Sequence, residues 1–214
     1  MSATAARTTK TRLLDAGWAM LLARGYHGLG VQAVLDATGV PKGSFYHHFE
    51  DKEDFALQVV DRYMADVHAG LDRCLGEEAL PPLDRVRRFF EQTERAYREE
   101  GYLGCLLGGL GQELAGASAV FREKIDGCLT SIAGRIAACL GEAKAAGQLP
   151  AGSDPVWLAS VLVDCWEGAA LRSRLSRSPA PLLAMLDFYF DQGLGGTADR
   201  PTHRGGTERA REAP

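Results

Sequence analysis

Two stretches of this 214-residue chain carry residues whose types and spacing could do chemistry. The first reads Pro41-Lys42-Gly43-Ser44-Phe45-Tyr46-His47-His48, with Lys52 four residues further on. Phe45 and Phe49 are the apolar residues that would pack inward, which leaves Pro41, Lys42, Ser44, Tyr46 and His47 on the outer surface. That outer set suits a DNA groove. Lys42 offers charge to a phosphate or a guanine edge, and the Ser44 and Tyr46 hydroxyls can reach phosphate oxygens. Gly43 lets backbone approach closely, His47 can donate to phosphate or base, and Lys52 can reach a phosphate beside the exposed N–H groups of the next helix start. The second stretch is Gly104-Cys105-Leu106-Leu107-Gly108-Gly109-Leu110-Gly111-Gln112-Glu113. In the first turn of a helix, the Cys105 thiol would be pushed toward thiolate and become a nucleophile for electrophiles or oxidants. The plainer role for Cys105 is packing among glycines that let helices come close.

Both stretches need helices to place them. Apolar residues recur at three- and four-residue steps, and strand-length alternation is missing, so the chain reads as all-α. Helices are expected at about 8–24, 31–38, 41–48, 51–76, 82–100, 103–115, 118–146, 155–176 and 180–193. Gly25 stops the first, Gly39-Val40-Pro41 makes the tight turn between the second and third, Asp51 caps the fourth, and Ser153 or Asp154 caps the eighth. The pair at 31–48 is a helix-turn-helix, with Val34, Leu35, Val40, Phe45 and Phe49 packing it on the first helix. The last two helices are apolar on more than one face, so they need cover on two sides. The same pair from a second copy, in a four-helix two-fold interface, or the long helix at 118–146 could supply it. Residues 195–214 lack large apolar side chains and read as a disordered tail.

Composition narrows the function. With 24 Lys plus Arg against 28 Asp plus Glu, the net charge of −4 argues against a general polyanion-coating protein. Residues 1–60 hold six basic and six acidic side chains, so DNA affinity would rest on local charge at Arg7, Lys10, Arg12, Lys42 and Lys52. No stretch reaches the roughly 18 apolar residues of a membrane span, and MSATAARTTKTR lacks the apolar centre of a secretory signal. The five cysteines (74, 105, 128, 139, 165) contain no CxxC pair. Cys128 and Cys139, eleven residues apart on one helix, would be separated by about 16 Å, too far for a disulfide. A cytoplasmic protein with free thiols is expected. No HExxH, paired Glu-x-x-His, GxGxxG or P-loop is present, so no enzyme, metal or cofactor is expected. His47 and His48 are adjacent and make a poor ligand pair.

DATGVPKGSFYHHFEDKEDF resembles the signature of the TetR family of transcriptional regulators, and the similarity covers residues 8–60 closely. It implies a homodimer whose three N-terminal helices (1–50) bind double-stranded operator DNA, with Lys42, Gly43, Ser44, Tyr46, His47 and Lys52 in contact. It also implies a helical domain (51–194) that dimerises and holds a small-molecule effector. Leu29 departs from the family pattern, which often has Thr there, so a phosphate-binding hydroxyl is missing. The Gly104–Gly109 segment resembles the GCLLGN run of a subgroup that senses reactive or unsaturated molecules, including the repressor of N-ethylmaleimide reductase and the acrylate-responsive repressors. Gly109 replaces its Asn. An effector pocket beside this segment would be lined by Cys105, Phe89, Tyr97, Tyr102, Leu106, Gln112, Cys128 and Trp166, with Cys74, Cys139 and Cys165 in the core. Two functions remain open: a ligand-released repressor, and an all-α thiol redox protein centred on Cys105 without DNA binding.

Overall fold

The computed structural model describes residues 8–194. The expected tail at 195–214 lies outside them. Nine α-helices are present among the described residues, with no strand. Three short ones form the head: α1 (Thr9–Arg24), α2 (Val31–Thr38) and α3 (Lys42–His48). Their limits follow from local chemistry. The Thr8 side chain caps α1 through the Thr11 N–H at 3.2 Å. Gly25 at φ 71° ends α1, and Gly39 at φ 65° ends α2, both in the left-handed region that a Cβ disfavours. Pro41 sits just ahead of α3, which therefore starts at Lys42.

The body begins with α4 (Lys52–Leu75), capped as expected by Asp51, whose carboxylate accepts from the Asp54 N–H at 2.8 Å. Then follow α5 (Pro82–Glu99), α6 (Leu106–Leu114), α7 (Ala119–Ala145), α8 (Pro155–Ser176) and α9 (Ala180–Asp187). Asp154, rather than Ser153, caps α8. Two boundaries differ from expectation. The helix expected from 103 starts at Leu106, because Gly101, Tyr102 and Gly104 all have φ between 57° and 85° and hold the chain in a turn. The last helix keeps α-winding only to Asp187 and continues as a wider π-turn, Phe188–Gly193.

Head and body share one core. Phe45 of α3, Phe49 and Phe55 of α4 form a ring cluster with centroids 4.8–5.1 Å apart. All three are buried, Phe45 completely. Gly17 makes the seam between α1 and α4 possible: a Cβ there would sit 2.4 Å from the Phe55 ring. Next to Gly17, Trp18 meets Tyr63 edge-on at 5.3 Å. Helix α8 buries Ala159, Leu162, Val163, Trp166, Ala169 and Ala170, and α7 is its main neighbour. Its other face is open. Trp157, Leu171 and Leu175 are exposed, as are Leu183 and Phe188 beside them in the chain's last helical segment.

The aromatic cluster sets the register of α3, so truncating it should unfold the head. Phe45→Ala is expected to cost about 3–5 kcal/mol in urea unfolding. A loss below about 1 kcal/mol would show that the ring is not the anchor.

Candidate nucleic-acid interface and ligand cavity

With Phe45 and Phe49 inward, α3 has only one face left to show, and it shows the expected residues. Pro41, Lys42, Gly43, Tyr46 and His47 are exposed, and Ser44 is partly so. Tyr46 leaves 52% of its surface open, with its ring edge-on to the buried Phe45 at 5.3 Å. The Lys42 ammonium lies 6.0 Å over the Tyr46 ring, one helical turn apart. No Cβ-sized obstacle lies within 4 Å of Gly43, so the backbone there is open to an incoming surface. Lys10 lies 5.7 Å over the Phe49 ring, and the Arg12 guanidinium donates to the Thr38 carbonyl, fastening α1 to the end of α2. Lys52 lies 4.4 Å over the Tyr26 ring.

Two head residues behave differently from expectation. The start of α4 is not a free anion site: Asp51 takes the Asp54 N–H, and Asp54 in turn accepts from the Glu50 N–H at 3.0 Å. Two carboxylates therefore occupy the helix end that was expected to help Lys52 hold a phosphate. Leu29 is buried, so the departure from Thr adds to the head core.

In the body, a cavity of about 270 Å³ opens between α1, α4, α5, α7, α8 and the turn before α6. Of the eight residues expected around an effector, Phe89, Tyr97, Cys105 and Trp166 line it. The other four lie elsewhere. Tyr102 turns back on α5, where its hydroxyl donates to Glu94 at 3.2 Å and accepts from Arg98. Leu106 faces a hollow against α1 with Leu21 and Leu22, and Gln112 faces a groove against α8. Cys128 is buried on α7 away from the cavity wall. Sequence reasoning missed Trp18, Tyr63 and Glu167, which also line the cavity. A legible sign existed for one of them: Glu167 is an acid set directly after Trp166 in an otherwise apolar run.

Cys105 corrects the expectation of an activated thiol. It is the residue before α6, 8% exposed. Burial, with the Glu167 carboxylate beside it, pushes its pKa up to about 12, against weaker help from the Gly108 N–H and the Tyr63 hydroxyl at 3.7 Å. The resting group is a neutral thiol. All five cysteines are free, and Cys165, expected in the core, is exposed. The thiol redox reading loses its main support here.

One contact ties head to body directly. Glu113 of α6 accepts from the backbone N–H groups of Tyr26 and His27, each at 2.7 Å, and from the His27 ring. A Cβ at Gly25 would lie 2.4 Å from this carboxylate, so the glycine makes room for it.

A helix-turn-helix head fused to an all-helical body is an architecture of DNA-binding regulators. Comparison with known families makes the class specific. Residues 13–59 match the model of the bacterial regulatory proteins of the tetR family, and residues 82–188 match the tetracyclin repressor-like C-terminal domain. The transcriptional regulator AcuR of Cereibacter sphaeroides is 40% identical over 79% of this chain and 78% of its own. The HTH-type transcriptional repressor NemR of Escherichia coli K12 is 31% identical over 81% and 88%. Among solved structures, the regulatory protein TetR from Rhodobacter sphaeroides superposes with a TM-score of 0.81 at 38% identity, covering 84% of this chain and 96% of that one. The reduced form of E. coli NemR gives 0.77 at 29%, covering 87% and 97%. The chain belongs to the TetR family of transcriptional regulators, and it is a regulator rather than an enzyme. Among the described residues, no helix is long and apolar enough to cross a membrane, and no cluster could hold a metal ion.

The Glu113 contact titrates. Burial raises its pKa, but the hydrogen bonds from His27 and Tyr26 outweigh that and hold it below the usual 4.5. A depressed carboxylate stabilises the folded state above its unfolded pKa and loses that contribution as pH falls through the folded value. Glu113→Gln should therefore melt below the wild type at neutral pH, and the gap should close under acid below about pH 4. A gap independent of pH would contradict this assignment.

Proposed function

We propose that this chain is a homodimeric, cytoplasmic repressor whose residues 1–50 bind operator DNA, and whose residues 51–194 dimerise and hold a small-molecule effector that releases it. The observation that carries the reading is the outward face of α3, where Lys42, Gly43, Ser44, Tyr46 and His47 stand free above a buried Phe45. In this reading Lys42 reaches a phosphate or a guanine edge, Ser44 and Tyr46 donate to phosphates, His47 donates to phosphate or base, and Lys52 adds a phosphate contact from its seat on Tyr26.

The dimer reading rests on the exposed apolar face of α8 and α9, where Leu175 is 68% and Phe188 63% exposed. The long helix α7 covers only the opposite face. A second copy of the same pair closes a four-helix bundle and fixes two heads for two half-sites about 34–36 Å apart.

Release follows from how the cavity is walled. Trp18 of α1 and Tyr63 of α4 line it, and both helices belong to the seam that carries the head. Phe89, Tyr97, Cys105 and Trp166 complete the effector wall in this reading. Filling the cavity moves α4 or the turn before α6, and Glu113 passes displacement of α6 to the turn at Tyr26 and His27. An effector that prefers the non-binding arrangement about 100-fold supplies roughly 2.7 kcal/mol, enough to empty a promoter at ordinary protein levels. With Cys105 held as a neutral thiol, recognition rests on fit to the cavity.

Operator binding measured by fluorescence anisotropy tests the reading. Lys42→Ala with Tyr46→Ala should weaken operator binding by about 2 kcal/mol or more and lower the slope of log affinity against log salt by about one. Unchanged affinity in a folded double variant would refute it.

A further inference from the structure

Glu167 stands out once the cavity is described. It is an acid on α8, partly buried, and it faces the same space as the aromatic rings. Among the described residues it pairs with no Lys, Arg or His. Its neighbours are the Cys105 thiol, which donates a hydrogen bond to it, the Tyr63 and Tyr97 phenols and the like-charged Asp164, none of them a cation. Its seat is built: a Cβ on Gly108 would lie 2.3 Å from the carboxylate, so α6 keeps a glycine where the acid rests. Two further carboxylates line the cavity, both exposed: Asp66, which is ion-paired with Arg62, and Glu100. Arg73, on the cavity wall, is exposed, and Arg174 shares with Glu167 a separate groove between α6 and α8; neither is among the charges that shift Glu167. An uncompensated carboxylate facing an apolar space costs stability, and folds retain such a group where a ligand supplies the missing charge.

The rest of the wall fits that charge. Trp18, Tyr63, Phe89, Phe90, Tyr97 and Trp166 present aromatic rings to the cavity. Phe90 and Tyr97 flank the Trp166 ring at 4.9 and 5.8 Å. Ring faces attract cations, most strongly away from water. At about 270 Å³ the space is small, holding a body of about ten non-hydrogen atoms at the roughly 30 Å³ that each water-sized group occupies.

Resting on the effector-released regulator reading, we propose that the cavity selects a small cationic amine with an apolar or aromatic body, its ammonium paired to Glu167 and its body held among the rings. A neutral molecule of the same shape fills the rings and leaves the carboxylate bare. A carboxylate of the same shape sets a second negative charge against Glu167. Burial holds the Glu167 carboxyl above its usual range, in keeping with a group short of a partner.

Three near-isosteric probes test this by calorimetry on the full chain at neutral pH: 2-phenylethylamine, 2-phenylethanol and phenylacetate. The amine should bind at least about tenfold tighter than the alcohol, roughly 1.4 kcal/mol, with phenylacetate weakest. In Glu167→Gln, the amine and the alcohol should come within about threefold of each other. An alcohol or phenylacetate that binds the wild type as well as the amine overturns the proposal, and that comparison needs no variant. An amine preference that survives in Glu167→Gln overturns it too. Operator binding by the unliganded protein, measured on the same sample, keeps the two readings apart. Operator binding without amine preference sinks the amine assignment alone, and amine preference without operator binding sinks the regulator reading.

Discussion

The close approach of α1 and α4 at Gly17 is the constraint on which the other features depend. With no side chain there, the Phe55 ring lies against α1, and Phe45 and Phe49 stack on Phe55. That stack fixes the rotation of α3. Because α3 has only seven residues, its rotation decides which side chains face outward. At the next residue of α1, the same seam becomes a cavity wall through Trp18 and Tyr63. The proposed DNA-reading face and the proposed effector cavity are thus two ends of one packed seam. Dense packing transmits a displacement from one to the other in place of absorbing it.

A second connection runs beside the first. Glu113 seats its carboxylate on two backbone N–H groups of the head, and Gly25 is small and left-handed so that it can. Hydrogen bonds to an ionised group are among the stronger ones and are directional. Helix α6 starts at the cavity, next to Cys105, and ends near this contact. A shift of α6 along its axis strains Glu113 against the turn at Tyr26, whereas a shift of α4 acts through the aromatic stack. The two routes give the head two ways to register what fills the body.

What could be read from the chain was what local chemistry decides. Gly25, Gly39, Pro41 and Asp51 mark helix ends by capping and backbone rules that need only neighbours in sequence. The split of α3 into a buried Phe45 and an outward Lys42, Tyr46 and His47 followed from which of its side chains are apolar. What could not be read depends on partners far along the chain. Cys105 looked like an activated thiol at a helix start, but Glu167, 62 residues away, lies beside it and burial dominates. Tyr102 looked like a cavity residue, but a left-handed turn at Gly101 and Tyr102 sends it back to Glu94 and Arg98. Cys165 sits in an apolar run and reads as core, yet it falls on the open side of α8. In each case the residue type was informative and the missing fact was which helix lies opposite.

The central claim is that two copies of α3 read one duplex from two successive major grooves. Guanine N7 methylation protection, on an operator selected from random duplexes, tests it most directly. The account predicts two protected major-groove segments related by a two-fold axis and centred about 10–11 base pairs apart. A single protected segment, or protection confined to the minor groove, would contradict it.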